Sequence, residues 1–163
     1  MIGRLALVLT ACLLPLQGAG SEAARLFEIA LERHEAGTFY VRGRLGEDLE
    51  TELLLDTGST YVALTKETFA AVRRQAEVVH VRDIEGTMAG GRTLRVPIYE
   101  VPLLDLGATC VLHDIEVAVI PGATRNILGL SALQQLQPLT LSLEPPRLQF
   151  SQCPGSSQPT AAR

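Results

Sequence analysis

One carboxylate in this chain stands where chemistry could be done. Asp56 ends an apolar run, Leu53-Leu54-Leu55, and opens the loop Asp56-Thr57-Gly58-Ser59. A short apolar run of this kind reads as a buried strand. Such a strand would deliver the Asp to the floor of a cleft. Gly58 lets the backbone turn tightly beside the carboxylate. Thr57 and Ser59 bring hydroxyls that can donate hydrogen bonds to an ionised or half-ionised oxygen. A carboxyl group held in this way is equipped for general acid and base work. The loop occurs once in the sequence.

Other chemistries find little support. His34, His80 and His113 have no metal-type spacing and read as surface or turn residues. Ser59 does not sit in a Gly-x-Ser-x-Gly elbow. Asp83, Asp105 and Asp114 precede no Thr-Gly or Ser-Gly, and they read as solvated. Asp105-Leu106-Gly107 comes nearest to the Asp56 loop, but its Leu carries no hydroxyl and it reads as a turn. The glycine cluster from Gly86 to Gly91 is not followed by Lys-Ser or Lys-Thr, so it is no phosphate loop. A net charge of −4 gives no sign of a phosphate-binding face. Aromatics make up 4% with no Trp, which argues against a platform for stacked bases. No metal, cofactor or nucleic acid is expected.

The elements that must hold Asp56 are mostly strands. Phe27, Ile29 and Leu31 alternate with Glu28, Ala30 and Glu32, the period of a half-buried strand, although a helix is open there too. Residues 38–45 alternate again, Gly46-Glu47-Asp48 turns the chain, and residues 49–55 lead up to Asp56. This predicts an antiparallel meander with Asp56 at its end. Residues 61–64 form a further strand. Thr65 then caps a short helix over 66–75. Two β-rich arms, 78–84 and 92–104, flank the glycine cluster. Strands follow at 109–112 and 115–119, Asn126-Ile127-Leu128-Gly129 precedes a short helix over 131–136, and strands at 139–143 and 147–150 close the domain.

The ends of the chain differ from this core. Arg4, then an apolar stretch from Leu5 to Leu16, then Gly18-Ala19-Gly20 read as a signal peptide over residues 1–20, with cleavage between 18 and 24. Twelve residues are short of the roughly 20 needed to span a membrane. Leu9-Thr10-Ala11-Cys12 also looks like a lipobox, in which Cys12 would be acylated. The expected location is thus exported, periplasmic or secreted, with membrane attachment only through an uncleaved or lipidated N-terminus. Residues 154–163 are rich in Ser, Pro and Ala and read as a disordered tail. Of the three cysteines, Cys110 and Cys153 remain beyond the signal. An exported pair is a candidate disulfide, and two buried free thiols are the alternative.

The order apolar-apolar-Asp-Thr-Gly-Ser, then a Gly-rich hairpin, then Ile127-Leu128-Gly129 before a helix resembles the retropepsin-like aspartic peptidases, in particular the bacterial single-domain, exported or membrane-associated group. The resemblance covers residues 27–150. The Asp56 loop stands about seventy residues before Ile-Leu-Gly, and that spacing makes it specific. It implies an all-β fold, a single-lobe closed β-barrel with one or two short helices, over a domain of residues 25–153. Asp56 matches the catalytic residue, Thr57, Gly58 and Ser59 its loop, and Ile127, Leu128 and Gly129 the element that supports the loop. Thr87, Met88, Ala89, Gly90 and Gly91 match the flap over the substrate. Viral members carry Ala where this chain has Ser59, a residue that looks like the pepsin-type loops, where the hydroxyl bonds the carboxylate. The tip has no Tyr such as the pepsin-type flap carries. The implied activity is peptide-bond hydrolysis by water activated between two Asp56 carboxylates of a homodimer, on an extended peptide substrate. The alternative is a non-catalytic peptide-binding module that keeps the fold.

Overall fold

The computed structural model describes residues 26–155, so the expected signal segment and Cys12 lie outside the described residues, as does most of the expected tail. Eleven strands and two short helices fill the described part. The sheet begins with β2 (Glu32–Arg33), β3 (Phe39–Leu45) and β4 (Leu49–Leu55), and these pair antiparallel in order. The turn between β3 and β4 places Gly46 at φ 61°, a left-handed conformation that glycine adopts without a steric penalty. Val41 and Leu45 on β3 and Leu53 on β4 are fully buried. The expected alternation is therefore the core face of a strand pair.

β5 (Val62–Leu64) follows the Asp56 loop and leads into α1 (Lys66–Val72). The Thr65 hydroxyl oxygen accepts from the Thr68 N–H at 3.1 Å, which gives the helix the cap that its sequence predicts. β6 (Val79–Thr87) and β7 (Thr93–Leu106) form a long hairpin, and β7 returns antiparallel to β8 (Cys110–Val119). β9 (Asn126–Leu128) then runs parallel to β4, with Leu55 beside Leu128. It also meets β5, which is itself parallel to β8. A final pairing of β3 with β7 closes β3-β4-β9-β5-β8-β7 into a six-stranded barrel, with β2 and β6 extending beyond it. Closure removes the free edges of those six strands. The barrel interior is aliphatic, with Leu104, Leu106, Leu112, Ile115 and Val117 all fully buried.

The first strand departs from the expected meander. β1 (Phe27–Ala30) leaves the large sheet and pairs with β11 (Pro146–Phe150), which also pairs with β10 (Leu139–Leu143). The Phe27 and Phe150 rings stack at 5.5 Å. The alternation that marks β1 as a strand carries no information about its partner. α2 (Leu130–Leu133) is shorter than expected and ends well before Pro138. Asp105 also departs from expectation. It lies inside β7, buried, and its Oδ2 accepts from Arg44 at 2.7 Å. A carboxylate taken out of water needs such a partner. Its position opposite Arg44 in the β3–β7 pairing supplies one.

Cys110 and Cys153 form a disulfide that ties the start of β8 to the segment after β11. Pro154 and Gly155 continue as a turn, with Gly155 lying against the Val111 carbonyl. The bridge spans 43 residues of sequence, and closing a loop of that length is worth about 4 kcal/mol in the chain-entropy model. Cys110→Ser with Cys153→Ser is expected to lower stability by about 2–4 kcal/mol, read as a lower urea midpoint. A midpoint equal to that of the oxidised wild type would show that the bridge adds nothing.

Candidate active site

Asp56 stands at the end of β4, partly exposed, with its N–H donating to Leu128 O at 3.2 Å. The strand thus delivers the carboxylate to the surface just where its pairing with β9 ends. Asp56 Oδ1 accepts from the Gly58 N–H at 2.8 Å, and Ser59 N–H donates to Asp56 O at 3.2 Å. The loop is therefore a tight turn closed around its own acid. Thr57 and Gly58 are exposed beside it.

β9 and α2 hold the loop from beneath. Leu130 N–H donates to Ser59 O at 2.8 Å and Ser131 N–H to Thr60 O at 2.9 Å. The Val62 N–H donates to Ser131 Oγ at 2.9 Å. Gly129 lies buried against this loop, and a Cβ there would sit 2.1 Å from Tyr61 O and 2.7 Å from Ser59 O. Its φ of −100° suits any residue, so contact alone demands glycine. Buried Asn126, at the start of β9, is fully engaged. Its Oδ1 accepts from Thr65 N–H at 3.0 Å, and its Nδ2 donates to Thr51 Oγ1 at 2.7 Å. Ile127, Leu128 and Gly129 are thus brought against the Asp56 loop.

Ser59 does not bond the carboxylate as its likeness to pepsin-type loops suggests. Its Oγ donates to Tyr61 O at 2.8 Å instead. Gly58 N–H already serves Oδ1, and the Tyr61 carbonyl lies within reach of the Ser59 hydroxyl just before β5 begins.

The glycine cluster is the tip of the β6–β7 hairpin. Met88 N–H donates to Arg92 O at 2.9 Å, Gly91 N–H donates to Met88 O at 2.8 Å, and Gly91 takes φ 77°. Thr87, Ala89, Gly90 and Gly91 are exposed, while Met88 packs against a small apolar cluster that includes Ala63 and Val96. On the outer side of the hairpin Arg95 Nε donates to Asp83 Oδ2 at 2.8 Å, and His80 Nε2 lies 2.9 Å from Asp83 Oδ1. Asp83, expected to be merely solvated, is thus paired.

No motif or spacing marks Arg82, Glu116 and Tyr61 as partners. Arg82 Nη1 and Nη2 donate to the two carboxylate oxygens of Glu116, each at 2.6 Å, and Nη2 donates to the Tyr61 hydroxyl at 3.0 Å. The bond from Arg82 holds the Glu116 carboxyl below its usual range. Bonds from His80 and then Arg95 do the same for Asp83. A carboxyl whose folded pKa is depressed adds stability above its unfolded value, near pH 4, and loses it as pH falls through the lower folded value. The urea midpoint of the wild type should therefore fall more steeply below about pH 4 than that of Glu116→Gln. Parallel profiles would show that the pair is not coupled to folding.

The side chains of Glu32 on β2, His34 just after it and Glu52 on β4 come together, one ligand atom of each within 4.8 Å of the others. Sequence spacing could not show this, because strand pairing gathers them. Arg42 pairs with Glu32 there, so a cation already sits in the group. His34 stacks on Tyr40 at 4.0 Å.

Fold and loop together define an acid-protease barrel with one Asp-Thr-Gly-Ser loop. Residues 41–135, more than half of the chain, match the family model described as "gag-polyprotein putative aspartyl protease". The chain belongs to that aspartyl protease family. A retropepsin-like aspartic protease from Rickettsia conorii has the same fold, with a TM-score of 0.55 and 18% identity over 77% of this chain and 90% of that one. EIAV protease, solved with the inhibitor HBY-793, is 25% identical over 63% of this chain and 86% of that one, at a TM-score of 0.42. No curated protein matches the chain.

Proposed function

We propose that the protein is an aspartic endopeptidase that works as a two-fold homodimer, with one Asp56 from each subunit. The observation that carries this reading is the Asp56 loop. Its carboxylate is partly exposed at a strand end, oriented by Gly58 N–H, and braced by Gly129 and α2. One carboxylate of the pair takes a proton from water, and the other, protonated, donates to the scissile carbonyl. This division of labour needs both carboxyl groups within hydrogen-bond reach of one water. One chain supplies one such loop, so the second carboxylate comes from a second copy. Two-fold contacts between identical surfaces are the commonest way to bring one.

Substrate lies extended beneath the β6–β7 hairpin, paired as an added strand, with the apolar residues around Met88 favouring apolar side chains. The disulfide supports an oxidising location, periplasmic or outside the cell. The decisive experiment is cleavage of a peptide library with and without pepstatin. Specific activity should fall on dilution, in step with the loss of dimer seen by ultracentrifugation. A monomer with constant specific activity would place both catalytic groups in one chain and overturn the dimer.

A further inference from the structure

Directly paired residues on neighbouring strands share a face of the sheet. Ile84 and Gly86 on β6 therefore share a face with Val96 and Leu94 on β7, and Ile98 of that face continues to Ala118 on β8. Tyr61, Met88 and Ile127 pack against the same cluster, so this is the hairpin face turned toward the Asp56 loop. A bulge in β6 brings Arg82 onto it. His80 pairs with Tyr99, and Arg82 pairs with the very next residue of β7, Ile98. In a regular strand Arg82 would share the face of His80. The extra residue turns it to the other side.

There the Arg82 guanidinium closes the end of the cluster toward the hairpin base. It grips Glu116 with two bonds, donates to the Tyr61 hydroxyl, and lies 5.9 Å from the centre of the Tyr61 ring. Tyr61 in turn leads back to the Asp56 loop, because its carbonyl holds Ser59 Oγ. The Glu116 carbonyl accepts from Ser131 Oγ at 3.1 Å, and that oxygen accepts from Val62 N–H. One cation thus joins the flap arm, β8 and the segment leaving the Asp56 loop. Met88 at the tip offers no hydroxyl, so ordering of the hairpin falls to its base.

Resting on the peptidase reading, we propose that Arg82 is a positioning residue for substrate. It holds the flap arm and the Tyr61 phenol at a fixed spacing from the Asp56 loop, so that an extended peptide meets a preformed wall. A wall ordered in advance removes part of the entropy cost of binding. Arg82 reaches no reacting atom, so its loss acts on binding rather than on bond cleavage.

The test uses the full-length protein and one cleaved peptide. Arg82→Ala should raise KM about fivefold to tenfold, the scale of a charge-assisted bidentate contact, with kcat changed by less than about twofold. Arg82→Lys should recover only part of this, because an ammonium cannot grip Glu116 as a fork while also holding Tyr61. Tyr61→Phe should raise KM in the wild type and add little to Arg82→Ala, since the two act through one contact. Hydrogen exchange of residues 79–106 should quicken in Arg82→Ala, and it can be followed in the Asp56→Asn background without any turnover. Unchanged KM and unchanged exchange overturn the proposal. So does a fall in kcat and melting temperature together with KM intact, which marks a purely structural ion pair. If the wild type cleaves no peptide the peptidase reading falls, and the exchange rates alone then decide whether Arg82 orders the arm.

Discussion

Asp56→Asn should melt with the wild type and cleave peptide at least about a thousandfold more slowly. The amide is nearly the size of the carboxylate, and its oxygen can still accept the Gly58 N–H that closes the loop at 2.8 Å. The side chain is partly exposed, so no buried charge is created or lost, and such substitutions usually move stability by about 0.5 kcal/mol or less. The chemistry is different. An amide neither takes a proton from water nor shares one with a second carboxyl, and a positioned acid or base is worth about a hundredfold to ten-thousandfold. In a homodimer both copies change at once. Turnover of one peptide by both proteins, beside their melting curves, gives the answer. Wild-type turnover by the variant would remove Asp56 from the mechanism.

Gly129→Val should cost at least about 4 kcal/mol and abolish activity in whatever protein folds. Overpacking normally costs about 1–3 kcal/mol, because flexible side chains move aside. Here a Cβ would stand 2.1 Å from the Tyr61 carbonyl oxygen and 2.6 Å from its carbon, which are backbone atoms. Relief requires the Asp56 loop to lift from β9. That would break the bonds from Leu130 to Ser59 and from Ser131 to Thr60 as well. Gly129→Ala meets the same first clash and should show a smaller loss of the same kind. Melting by circular dichroism checks both variants. An unchanged midpoint in Gly129→Val would mean that the loop does not rest on β9.

Much of this site was written in local sequence. The apolar run before Asp56, the Thr65 cap and the hairpin around Gly86–Gly91 each depend on residues close together in the chain, and periodicity and turn chemistry report such features directly. Gly129 was legible through resemblance, and the structure supplies its physical cause. What escaped depends on pairing between distant strands. β1 reads as a strand whichever sheet it joins. Asp105 reads as solvated until Arg44 is placed opposite it. Arg82 looks like any exposed arginine on an edge strand, since nothing marks a bulge at Val81 or brings Glu116 within reach. Ser59 failed for a nearer reason, because two acceptors compete for its hydroxyl and the Tyr61 carbonyl, two residues on, takes it.

The pairing of β1 with β11 has a bearing on how the molecule is made. β1 is the first of these strands to emerge from the ribosome, and its partner is the last. More than a hundred residues separate Phe27 from Phe150, so the growing polypeptide holds an unmatched first strand until β11 has been made. The nascent chain cannot seal its small sheet in passing. A stop codon placed before Pro146 would remove β11 and leave β1 without the strand it pairs with.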